Sequence, residues 1–249
     1  VPITPYVRNE MHLPETVEEN LSHLAAWRQV FSGDSFFYDY PLGRAHYGDL
    51  GYMKIARVIY DDIHALKSFG VNGYMSCQEL RAMSPTGFPD YVMAQALTDE
   101  SIPYETLRDT YFSAMFGPGW EDAAAFLERL SSLSDTDYWN NHGPRCQPFL
   151  ADRYRRMALL AEDFRTQIPL AQKEIWRKNW EYLDFHCRYT MLLAGALERL
   201  SMGDKEEADR RFEDFCDFIR REEPRHQSRL DVYRVIEVAT KYTGFSMPR

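Results

Sequence analysis

The residues able to do chemistry fall into three short groups. The first holds Arg8, Asn9, Glu10 and His12, the second Tyr38, Asp39, Tyr40, Arg44 and His46, and the third Gln78, Glu79 and Arg81. Acids, tyrosines and arginines gathered in one place suit a sugar. Two carboxyl groups flanking a glycosidic bond supply an acid and a base or nucleophile. Tyrosine offers a flat apolar face for a sugar ring and a hydroxyl to orient it. Arginine grips a carboxylate with two parallel hydrogen bonds, as a uronic acid would require. On this reading Asp39 is a catalytic carboxylate, and its partner is Glu10 or lies in a part of the fold outside this chain. Tyr38, Tyr40, Arg44, His46, His12, Gln78, Glu79 and Arg81 bind substrate. Each also has a plainer reading: Asp39 as a loop cap, and Glu10, His12 and Glu79 as ordinary loop residues.

Other chemistries lack a local signature. There is no HExxH and no closely spaced His pair, so no metal is expected. Neither GxGxxG nor a Walker loop occurs, so no nucleotide or other cofactor is expected, and no GxSxG elbow marks a serine nucleophile. The four cysteines, Cys77, Cys146, Cys187 and Cys216, lie far apart in sequence. They read as reduced thiols of an intracellular protein rather than as two disulfides.

The first hundred residues alternate between extended and helical patterns. "VPITPYVRN", "DSFFYDYPL" and "VNGYMSCQ" suit strands. Between and after them, "ETVEENLSHLAAWRQVF", "GYMKIARVIYDDIHALKSFG" and "FPDYVMAQALTD" suit helices. In the second of these Met53, Ala56, Ile59, Ile63 and Leu66 share a face, and Gly70 stops the helix. In the first, Val17, Leu21, Leu24, Trp27 and Val30 recur about one turn apart. The order βαβαβα points to parallel strands joined by crossovers. Active groups then gather at the strand C-termini, which is where the three groups lie.

Beyond about residue 101 the strand signal ends. Helices are expected over 104–116, 119–133, 150–165, 170–201, 204–222 and 227–242. The longest lines Trp176, Trp180, Leu183, Cys187, Met191 and Ala194 along one face, and His186 and Cys187 read as core residues of that helix. The expected division is 1–100 as the C-terminal part of a (β/α) barrel and 101–249 as an α-helical domain. Three βα units leave both sheet edges open, whereas a full barrel takes ~250 residues. The barrel is therefore expected to be incomplete in this chain, with a missing N-terminal portion or a second chain completing it. A small self-contained open sheet covered by the helical part is the alternative.

The chain has 249 residues, 45% of them hydrophobic, and a formal net charge of -9. An acidic chain without a basic face argues against nucleic acid as a partner. Even "RFEDFCDFIRREEPRHQSR" interleaves its bases with acids. No apolar run approaches the ~20 residues that span a bilayer, so no membrane partner is expected. The chain opens on Val1 without a visible signal peptide. A removed leader or upstream piece is therefore expected, and location stays open, with the cytoplasm slightly favoured.

The stretch "SFFYDYPLGRAHYGDLGYMKIARVIYDDIHALKSFGVNGYMSCQELRAMSPTGFPDYVMAQALTDES" resembles the domain-of-unknown-function family 4838. "YFSAMFGPGWEDAAAFLERLSSL" and "LSMGDKEEADRRFEDFCDFIRREEPRHQSRLDVYR" are similar to the helical segments that follow in that family. The resemblance implies a glycoside-hydrolase-like (β/α)8 barrel with a helical C-terminal domain, distantly similar to α-glucuronidases. It aligns Asp39 and Tyr40 with a tyrosine- and aspartate-rich strand end, and Ser76, Cys77, Gln78 and Arg81 with a second strand end. The chain departs from the family pattern at Pro41 and Glu79.

Together these readings predict a glycoside hydrolase acting on a polysaccharide or oligosaccharide, with acidic sugars among its candidates. A non-catalytic carbohydrate-binding or scaffolding protein on the same fold is the alternative. A helical interaction module with the α/β part as platform is a third.

Overall fold

The computed structural model of the chain describes residues 17–42, 45–77, 81–139, 144 and 146–248. The first predicted strand, at 1–9, lies outside them. The chain order starts α1 (Val17–Val30), β1 (Phe36–Asp39), α2 (Met53–Ser68), β2 (Gly73–Ser76) and α3 (Phe88–Thr98). It continues α4 (Tyr104–Phe116), α5 (Trp120–Leu133), α6 (Thr136–Trp139), α7 (Pro148–Arg165), α8 (Glu174–Ser201), α9 (Lys205–His226) and α10 (Val232–Thr243). A 3₁₀ turn, Ala45–Gly48, lies between β1 and α2.

The expected barrel is not what the described residues form. They make a two-stranded parallel sheet, β1 beside β2, and about 70% of the described residues are helical. One crossover, through α2, joins the pair, and Asp39 lies opposite Ser76 in its register. The reason lies in the core. Its main cluster is built from helical side chains such as Phe112, Leu127, Trp180, Leu193, Phe215 and Val235. It also takes in Tyr47, Met53, Phe88 and Val92, so residues on both sides of position 100 share one interior. The sheet adds little to it, having short strands and one covered face.

Helix periodicity carries over where the stripe is buried. Met53, Ala56, Ile59, Ile63 and Leu66 of α2 are all buried. Trp180, Leu183, Cys187 and Ala194 of α8 are buried as well. In α1 the stripe does not sink, since Trp27 is 52% and Val30 81% exposed. The short α6 has no apolar repeat long enough to show in sequence.

The link from 3₁₀ turn to α2 is pressed against the helical body. Nε2 of His186, on α8, donates to the Leu50 carbonyl at 2.6 Å. The Ser131 and Ser134 hydroxyls of the α5 end accept from the Met53 and Leu50 amides at 2.9 and 3.0 Å. A Cβ at Gly51 would sit 1.9 Å from the Leu127 carbonyl oxygen, so the backbone here approaches closer than any side chain allows. The next residue, Tyr52, adopts φ 61°, uncommon for a bulky residue, and its side chain is buried.

Two imidazoles are fully enclosed in this region. Burial, helped by the positive charge of Arg234, lowers the His46 pKa to about 3. Burial lowers His186 to about 4, against its hydrogen bond to Leu50. Both start from an ordinary 6.5, at which the unfolded chain takes up protons. Their contribution to stability is intact above 6.5 and declines as pH falls toward 4 and 3. Neither ring nitrogen of His46 has a hydrogen-bond partner among the described residues. The His46→Phe variant is therefore expected to match or exceed the neutral-pH stability, by up to about 2 kcal/mol. It should also flatten the loss between pH 6.5 and 3 in thermal melts across pH. A steeper acid loss than in the parent chain would contradict this.

Candidate functional site

The candidate site is the C-terminal end of the sheet. Strand alternation divides its residues between two faces. Phe37, Asp39, Tyr74 and Ser76 turn toward α2. Tyr74 packs there beside the cluster that holds Ile59 and Ile63, and its ring lies 6.3 Å from Phe37. Phe36, Tyr38 and Met75 turn outward and are 66%, 47% and 52% exposed. Tyr40 joins the outer set. Its hydroxyl donates to that of Tyr38 at 3.3 Å, and the two rings meet edge to face with centroids 5.2 Å apart.

Asp39 sits on the inner side and is nearly buried. One carboxylate oxygen accepts the Tyr40 amide at 2.8 Å, and the other accepts the Tyr74 hydroxyl at 2.9 Å. Asp62, on α2, feels its charge. Burial raises the Asp62 pKa first, and the negative Asp39 raises it further. The Tyr74 phenol is also pushed up, by burial and then by Asp39. The inner face thus carries Asp39, with the Tyr74 hydroxyl on its carboxylate, and Asp62 of α2 within reach of its charge.

On the outer face, the Tyr38 phenol is raised by its hydrogen bond with Tyr40 and by the Cys77 thiol. That places Tyr38, Tyr40 and Cys77 together. Cys77 is unpaired, as are Cys146, Cys187 and Cys216. The Cys77 amide donates to the Asp39 carbonyl at 2.8 Å, which closes the strand ends against each other.

The remaining expected residues are placed differently. His46 is fully buried, its ring tilted against Tyr47 with centroids 3.9 Å apart and edge-on to Tyr52. Arg81 pairs with Asp231 at 2.7 Å, tying the segment after β2 to the start of α10. Glu10, His12, Arg44, Gln78 and Glu79 lie outside the described residues. Sequence reasoning missed Asp62 and Tyr74. Tyr74 was readable from strand alternation, since it lies two residues before Ser76, the residue opposite Asp39, and so shares its face. Asp62 had a weaker signal, its place beside Ile63 on the apolar face of α2.

Among the described residues no group of three His, Cys, Asp or Glu side chains could hold a metal ion. None of their helices is long and apolar enough to cross a membrane. Comparison with known proteins gives no match to a family model, a curated protein or a solved structure.

The coupling of Asp39 and Asp62 has a direct readout. Neutralising the first carboxylate by Asp39→Asn is expected to lower the Asp62 pKa toward the ordinary carboxylate range, followed by carboxyl-carbon NMR titration. An unmoved Asp62 titration would show that the two groups do not interact.

Proposed function

We propose that this chain is a carbohydrate-directed protein of glycoside hydrolase type, and that the sugar lies on the outer face of the sheet against Tyr38 and Tyr40. The observation that carries this reading is the pair of half-exposed phenols with linked hydroxyls. An aromatic face covers the apolar side of a pyranose ring, and phenol hydroxyls orient its polar rim. Phe36 and Met75 extend the same surface. With Asp39 on the opposite face and both its oxygens engaged, sugar binding is the better supported part of the reading.

Hydrolysis by a carboxylate pair is the second reading. A specific observation favours it: Asp62 is half-buried, and burial and then the charge of Asp39 raise its pKa. A carboxyl group whose pKa is pushed up by burial and a nearby negative charge is the kind a general acid is built from. Asp39 would then be the partner carboxyl, in place of the pairing with Glu10.

A glycan array with neutral and acidic oligosaccharides tests the binding. Tyr38→Ala and Tyr40→Ala are each expected to weaken the best ligand about threefold to tenfold. Wild-type strength in the double variant, or no glycan bound by the parent chain, would overturn the reading. An aryl-glycoside panel tests the chemistry. Turnover by the parent chain that is lost in Asp62→Asn and Asp39→Asn supports the second reading, and binding without turnover leaves the site non-catalytic.

A further inference from the structure

A groove of about 710 Å³ runs between α5, the last turns of α7 and Trp180 of α8. That is the size of a small-molecule site. Aromatic rings form its floor. Phe126 and Phe164 stack at 4.0 Å with planes 3° apart, and Trp180 continues the pile at 6.3 Å from Phe164. Leu159 and Leu160 add apolar wall.

Two arginines line this groove, Arg129 from α5 and Arg156 from α7. Most arginines of the described residues are paired with acids, as Arg155 is with Glu198 at 3.1 Å and Arg165 with Asp184 at 2.7 Å. Arg129 and Arg156 have no acid, backbone or ring partner among the described residues. The acids in the groove, Asp122 and Asp163, do not close ion pairs with them. Both arginines are exposed, so their charge is solvated and free to meet an incoming anion. Guanidinium forks match a carboxylate, and their planes lie well on an aromatic ring.

We propose that this groove binds a small aromatic carboxylate, with the flat ring over Phe164 and the carboxylate between Arg129 and Arg156. Asp122 and Asp163 repel the ligand's charge and set an upper limit on its affinity. The site is separate from the outer sheet face and does not depend on the sugar-binding reading.

The probe is 2-naphthoate, titrated calorimetrically against the intact chain, with 2-naphthalenemethanol as its neutral counterpart. Saturable 2-naphthoate binding is expected, at least about tenfold tighter than the alcohol. Arg129→Gln and Arg156→Gln should each weaken it about tenfold. Asp122→Asn and Asp163→Asn should tighten it, a change that mere loss of fold would not produce. The arginine variants should melt with the parent chain, since both side chains are exposed. Absence of saturable binding, equal affinity for the alcohol, or parent-like binding by the Arg129→Gln/Arg156→Gln double variant would overturn the proposal.

Discussion

The buried carboxylate of Asp49 is the interaction on which the rest of the structure depends. It is fully enclosed. It accepts the Ser131 hydroxyl from α5 and the amides of Gly51 and Ile55 at 3.3 and 3.0 Å. An acid in such a place is costly unless its lone pairs are met. Burial raises its pKa, and the three donors act against that shift. One side chain thereby caps the first turn of α2 and fastens it to the helical body. Losing it would leave the Gly51 and Ile55 amides and the Ser131 hydroxyl without their acceptor, a larger penalty than the net worth of the bonds themselves.

The site follows from that anchor. With its start fixed, α2 lies against the sheet through Ile59, Ile63 and Tyr74. This holds the inner face of the sheet closed and brings Asp62 within electrostatic reach of Asp39. The opposite face is left open, with Phe36, Tyr38, Tyr40 and Met75 exposed upon it. The same packing therefore makes one face a partly buried carboxylate pair and the other an aromatic surface.

Sequence reasoning recovered the helices better than their assembly. The α2 stripe and the helix at 104–116 were legible because a 3.6-residue period is a local property. The barrel was not, because strand count depends on which segments pair, a non-local outcome. Two real strands joined by one real crossover look the same in sequence whether or not further units join them. At the site, Asp39, Tyr38 and Tyr40 were legible as a group, yet their division between faces was overlooked. Strand alternation alone assigns Asp39 to the side opposite the tyrosines. His46 misled because burial, rather than residue type, decides whether an imidazole is a ligand or a core ring.

The central claim is that sugar meets the outer face of the sheet and not the carboxylate side. Hydroxyl-radical footprinting in the presence of a bound oligosaccharide tests it most directly, because tyrosine and methionine report side-chain access one by one. The account predicts protection at Tyr38, Tyr40 and Met75 with Tyr74 unchanged. Protection at Tyr74 while Tyr38 and Tyr40 stay as reactive as in the free chain would contradict it.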